Sequence, residues 1–94
     1  MVAHRYSEPA VDDIEQLIIF TIKKWGRQQA QDYFNGLEEQ VRLLAKIPKL
    51  GKLRAGGLRA FPYRSHILYY LKDAEGITVA RVLHSNMDPN LHLG

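Results

Sequence analysis

The stretch from Gly76 to Pro89 reads Gly-Ile-Thr-Val-Ala-Arg-Val-Leu-His-Ser-Asn-Met-Asp-Pro, and it limits what this chain can become more than any other. It opens as the clearest strand pattern in the sequence, carries one arginine inside an otherwise uncharged run, and stops at a histidine followed by a polar turn. Strand side chains alternate between faces, which predicts Ile77, Val79, Arg81 and Leu83 on one side and Thr78, Ala80, Val82 and His84 on the other. Both sets are mostly apolar, so the strand is expected near the centre of a sheet, packed between neighbours. Arg81 then needs a carboxylate, backbone carbonyls or a water-filled edge, because a buried unpaired guanidinium costs an amount comparable to a small domain's stability. Asp88, across the turn, is the expected carboxylate.

The first half of the chain reads differently. Ala3 to Tyr6 is a short strand candidate. Ser7-Glu8-Pro9 is a helix start: Ser7 caps free backbone donors, Glu8 suits the positive end of the helix dipole, and Pro9 sits in the first turn where its missing N–H does no harm. At helical spacing Val11, Ile14, Ile18, Ile22 and Trp25 form one stripe that should lie on the sheet. Ile19 and Phe20 fall outside it and need another cover, either the next helix or another chain. Gly26 ends this helix. A second one follows over residues 27–46, with Ala30, Tyr33, Phe34, Leu37, Val41 and Leu44 on one face, and Ile47-Pro48 closes it. A turn this tight makes the two helices antiparallel.

Beyond it, Lys49 to Gly57 reads as a basic loop without periodicity. Residues 58–61, 64–72 and 77–84 read as three strands, the last two joined by Asp73-Ala74-Glu75-Gly76 into an antiparallel hairpin. Pro62, between the first two, marks a bend or an edge. The predicted order is β-α-α-β-β-β: an α+β fold in which a helical hairpin covers one face of a small antiparallel sheet, within a single domain over residues 1–94. The second sheet face, carrying Arg64, His66, Tyr70 and Lys72 or their odd-numbered neighbours, is left for a ligand or partner.

Composition narrows the functions open to such a fold. The chain has 94 residues and no cysteine, which removes disulfides, zinc thiolate sites and thiol nucleophiles. The apolar run from Leu17 to Phe20 is far too short to span a bilayer and the N-terminus lacks a signal-peptide core, so a cytoplasmic location is expected. Net charge is +3, but residues 40–72 hold eight Lys/Arg and no acid. That block suits an anionic partner, nucleic acid or an acidic protein face, or simply a solvated surface. His4, His66, His84 and His92 lack metal-ligand spacing, and Gly56-Gly57 lacks the lysine and serine or threonine of a phosphate loop. No serine sits in a nucleophile-elbow pattern. No cofactor or metal is expected.

The residues in order resemble the toxins of the RelE/ParE superfamily, the ParE branch more than the RelE branch. The likeness is carried by Tyr6-Ser7 and Pro9, Trp25-Gly26, Ile47-Pro48 with Gly51, Gly57-Leu58-Arg59, Phe61-Pro62, Arg64 and His66 with Ile67 and Tyr69-Tyr70, then Arg81-Val82-Leu83-His84 leading to Met87-Asp88-Pro89. The resemblance implies a type II toxin held inactive by a protein antitoxin. For ParE-like members the implied target is DNA gyrase and the antitoxin ParD-like, with no sequence-specific nucleic-acid binding and assembly into a toxin–antitoxin hetero-oligomer. For RelE-like members it is messenger RNA in the ribosomal A site, cut by the toxin. A third reading is a non-toxic homologue that only binds an antitoxin.

Chemistry separates the two branches. RNA cleavage by a 2′-hydroxyl needs a base, an acid and positive charge for the phosphate. Lys49, Lys52, Arg54, Arg59 and Arg81 offer charge, and His84, His66 or a tyrosine offers proton transfer. If the chain is a nuclease, Arg81, His84, Arg59 and Lys52 are its candidates. RelE-like nucleases place a tyrosine, or a histidine with an adjacent tyrosine, near the C-terminus, whereas His84 is followed by Ser85-Asn86 and no tyrosine follows Tyr70. The expectation is therefore a non-enzymatic ParE-like toxin. Its target-binding candidates are Arg64, His66, Arg81, His84, Met87 and Asp88. Its antitoxin-binding candidates are Ile19, Phe20, Leu43, Lys49, Lys52 and Arg54, where an amphipathic helix would find apolar and basic surface.

Overall fold

Local chemistry sets the boundaries of the helices. The Ser7 hydroxyl oxygen accepts from the Ala10 N–H at 3.2 Å, and Pro9 occupies the first turn, as expected. At the other end Gly26 turns the chain with φ 93°, and its N–H still reaches the Ile22 carbonyl at 2.9 Å. In a computed structural model, which describes residues 3–93, the order is β1 (Ala3–Tyr6), α1 (Glu8–Trp25), α2 (Arg27–Lys46), β2 (Lys52–Leu53), β3 (Arg59–Tyr63), β4 (His66–Lys72), β5 (Gly76–His84) and α3 (Pro89–Leu93). Short 3-10 turns at Pro48–Leu50 and Ala55–Gly57 flank β2.

Helix α2 buries the predicted face, with Ala30, Leu37, Val41 and Leu44 inside and Phe34 packed against the core. Helix α1 does not. Its buried residues are Ala10, Ile14, Leu17 and Thr21, whereas Val11, Ile22 and Trp25 are exposed. The large apolar side chains set the predicted stripe, but the closest contact is made by small ones. Thr21 is buried at little cost because its hydroxyl donates to the Leu17 carbonyl at 2.8 Å.

The α+β architecture holds, and the sheet has five strands in the order β1-β5-β4-β3-β2. It is mixed: β1 pairs with β5 in parallel, and the other pairs are antiparallel. β5 lies between β1 and β4, as its two apolar faces require. The segment expected as a basic loop contains β2, whose two residues pair Lys52 with Ala60 and Leu53 with Arg59. A strand of two residues has no period to detect. Pro62 lies inside β3 opposite Ile67, beyond the reach of β2, so its missing N–H costs no ladder bond. Arg64 and Ser65 form the tight turn before β4 instead of opening it.

A bulge corrects the predicted alternation in β5. Tyr69 stands opposite Arg81 and Tyr70 opposite Val79, which leaves Ala80 without a partner. One extra residue reverses the sides from there on. Ile77, Val79 and Val82 therefore join the core under the helices. Arg81 and Leu83, expected beside Ile77 and Val79, lie on the far face in register with Tyr69 and Ile67.

The core between helices and sheet is built from Ile14, Leu37, Val41, Leu44, Leu68, Tyr70, Ile77, Val79 and Val82. Tyr70 also ties the segment after α2 to the sheet, donating to the Pro48 carbonyl at 2.6 Å and accepting from the Gly51 N–H at 2.8 Å. Among the described residues no helix is long and apolar enough to cross a membrane. Tyr70→Phe leaves the Gly51 N–H and the Pro48 carbonyl without this partner in a dry setting. It should cost about 1–3 kcal/mol in urea denaturation, with an unchanged dependence on urea.

Candidate functional site

Strand β1 is shorter than β5. After Tyr6 pairs with Val79, the backbone of β5 on that side needs other partners. Ser7 supplies two: its N–H donates to the Val79 carbonyl at 3.0 Å and its hydroxyl to the Ala80 carbonyl at 2.8 Å. Asp13, one turn into α1, supplies the next by accepting the Val82 N–H at 2.9 Å. The same carboxylate holds the Arg81 guanidinium through two bonds of 2.7 and 2.9 Å. Arg81 also donates to the His92 carbonyl in α3 at 3.1 Å. The expected Arg81–Asp88 pair is thus replaced by Arg81–Asp13, since the bulge turns Arg81 toward the edge that α1 covers. Asp88 instead caps α3, accepting the Asn90 N–H at 2.9 Å.

This clip fixes one wall of an open cleft between α1 and the end of the sheet at the β3–β4 turn and the last residues of β5. One part, of about 440 Å³, is lined by Asp13, Gln16, Leu17, Phe20, His66, Val82, His84 and Met87. A second, of about 380 Å³, shares Leu17, Phe20 and His66 and continues past Trp25, Gln29, Tyr33 and Arg64. Phe20 and Trp25 are 60% and 63% exposed, far more than a core aromatic.

His66 and His84 are directly opposed across β4 and β5, with ring centroids 5.3 Å apart. The Tyr33 hydroxyl lies 2.8 Å from His66 Nδ1. Burial raises the Tyr33 pKa, so the phenol keeps its proton. His84 Nδ1 accepts the Asn86 N–H at 3.1 Å, which leaves the proton of a neutral ring on Nε2. Burial, helped by the neighbouring His84, pushes the His66 pKa down, and Asp13 only partly opposes this.

Arg64 stands at the mouth of the cleft with φ 51°. Its guanidinium lies 5.7 Å from the ring centroids of both Tyr33 and Tyr63, which meet edge to face.

The structure brings together Phe20, Arg64, His66, His84 and Met87. The remaining candidates lie elsewhere. Arg59 donates to the Gly51 carbonyl at 2.8 Å, and Arg54 lies over the Tyr69 ring on the far face of the sheet. Lys49 and Lys52 are exposed around β2, and Ile19 and Leu43 are exposed on the helices outside the cleft. Sequence reasoning missed Trp25 and Tyr33, which it assigned to core stripes. The signal for Trp25 was its place just before the glycine that ends α1, where a helix runs out of neighbours to pack on. Among the described residues no group of three or more His, Asp or Glu side chains is placed to hold a metal.

The sequence model of the ParE toxin of type II toxin–antitoxin systems, parDE, matches residues 4–89. Toxin ParE1 of Caulobacter vibrioides is 32% identical over 98 residues, covering 100% of both chains. Toxin ParE1 of Mycobacterium tuberculosis is 34% identical over 92 residues, 93% of each chain. Among solved structures, one described as the chromosomal ParDE TA system from P. aeruginosa superposes with a TM-score of 0.76 at 17% identity, over 89% of this chain and 96% of that one. At that identity the likeness shows the fold.

Two outcomes follow from this geometry. Asp13→Ala strands Arg81 and the Val82 N–H together and should cost about 3 kcal/mol, lowering the thermal midpoint by roughly 10 °C or more. The His66 pKa is depressed in the fold, so its contribution is fully present above about pH 6.5. It is lost as pH falls from there toward the folded value, because the unfolded chain takes up a proton first. Chemical denaturation between pH 5 and 8 should show that decline, and His66→Gln should flatten it.

Proposed function

The chain belongs to the ParE toxin family of type II toxin–antitoxin systems, and we propose that it arrests growth in the cytoplasm by binding DNA gyrase and is neutralised by a ParD-like antitoxin. The observation that supports inhibition by binding over RNA cleavage is the engagement of two of the four nuclease candidates, the arginines, by their own chain. Arg81 is held by Asp13 and the His92 carbonyl, and Arg59 by the Gly51 carbonyl. Transition-state stabilisation needs positive charge aimed at the reacting phosphate, and these two guanidiniums are aimed elsewhere. Phe20, Trp25, Arg64 and Met87 instead converge on a cleft with the mixture of apolar and cationic groups that protein interfaces favour. We assign the gyrase contact to that cleft, with His66 and His84 as its floor.

Charge supports the antitoxin half of the reading. The eight Lys/Arg of residues 40–72 take part in none of the ion pairs among the described residues, which involve His4, Arg5 and Arg81. Lys49, Lys52 and Arg54 from this block, with the exposed Ile19 and Leu43, suit an acidic, amphipathic antitoxin segment. The solved P. aeruginosa neighbour is described as a ParDE system, which is consistent with such a partner.

Purified toxin added to a gyrase supercoiling reaction should stop supercoiling and trap cleaved DNA, and no effect at large excess overturns the gyrase reading. The same toxin added to programmed ribosomes should leave messenger RNA intact. Cutting at the A site that disappears in His84→Ala would establish the RelE-like alternative instead.

A further inference from the structure

We propose that the mouth of the cleft is a receptor for an acidic–apolar segment of a partner protein, with Arg64 binding a carboxylate and the groove beside Leu17, Phe20 and Met87 taking the adjacent apolar side chain. This rests on the reading of the cleft as a protein-binding site and names the chemistry it selects.

Arg64 is the only non-glycine residue among the described ones with positive φ. It occupies the first position of a two-residue hairpin turn, where glycine or asparagine is the relaxed choice. An arginine there carries backbone strain, and strain of this kind collects at functional positions. The side chain is also held in place, because the Tyr33 and Tyr63 rings both attract the guanidinium. Yet it forms no ion pair among the described residues. The acid lining the cleft, Asp13, is already bonded to Arg81 and the Val82 N–H. The result is a pre-oriented cation without a counter-charge beside an apolar groove. A fork of fixed donors binds a carboxylate with little further loss of freedom.

A nucleic-acid backbone is a poorer complement, since it needs a row of cations along its phosphates. Here Arg64 is the only lysine or arginine lining the cleft, and Lys24 lies against its rim, over the Phe20 and Trp25 rings.

Two fluorescein-labelled synthetic peptides test the proposal by anisotropy: an amphipathic helix bearing leucine, tryptophan and glutamate, and its twin with glutamine for glutamate. The glutamate peptide should bind about tenfold tighter, the effect of one charge-assisted bond. Arg64→Gly should erase that preference while its thermal midpoint holds or rises, because the strained turn is relieved; Arg64→Lys should keep only part of it. Phe20→Ala should weaken both peptides alike, and Val11→Ala, exposed on α1 away from the cleft, neither. A preference that survives in Arg64→Gly overturns the proposal. So does Arg64-dependent binding of an oligo(dT) strand in place of the peptides. Loss of gyrase inhibition with the peptide preference intact would sink the gyrase target and leave the receptor standing.

Discussion

The Asp13 carboxylate is where the parts of this molecule meet. A central strand longer than its neighbour leaves bare backbone, and unpaired strand backbone is both costly to bury and prone to pairing with other chains. Here the first helix takes over from the first strand: Ser7 continues the ladder to Ala80, and Asp13 accepts from Val82. Because Asp13 also holds Arg81, and Arg81 reaches the His92 carbonyl, one charge pair sets α1, the bulged strand and the C-terminal helix against one another. The two walls of the cleft, α1 and the ends of β4 and β5, derive their separation from that clip.

Much of this was legible in the chain. The caps at Ser7 and Gly26, the proline at position 48 and the face of α2 are local effects, and local rules found them. The need of Arg81 for a carboxylate was legible too, but the identity of the partner was not. Asp88 is near in sequence, whereas Asp13 comes close only after the sheet has formed. The bulge at Ala80 was invisible for the same reason: an extra residue is defined by the strand opposite, and β5 taken alone alternates perfectly. The α1 stripe failed differently. Hydrophobic bulk identified Trp25 and Val11, but contact distance selected Ala10 and Thr21, leaving Trp25 free for the rim of the cleft.

The cations divide into two populations with different physics. Arg81, Arg59 and Arg5 are bonded within the chain and act as struts. Arg64 and the lysines around β2 are presented outward, and their interactions with a partner are subject to screening by salt. A reading from charge counts alone merges these groups, and only their hydrogen bonds tell them apart. Arg64 belongs to the presented group, with aromatic faces instead of a carboxylate against its guanidinium.

The parallel pairing of β1 with β5 joins the first strand to the last, Ala3 beside Gly76 and Tyr6 beside Val79. Such a contact closes a loop of about seventy residues, and it forms only after the residues between the two strands have left the ribosome. Until then Ser7 and Asp13 have no strand edge to grip, and α1 has no fixed place beside His66 and His84. The cleft therefore cannot mature piecemeal during translation. A nascent or truncated chain lacks the assembled cleft, which comes together in one late step.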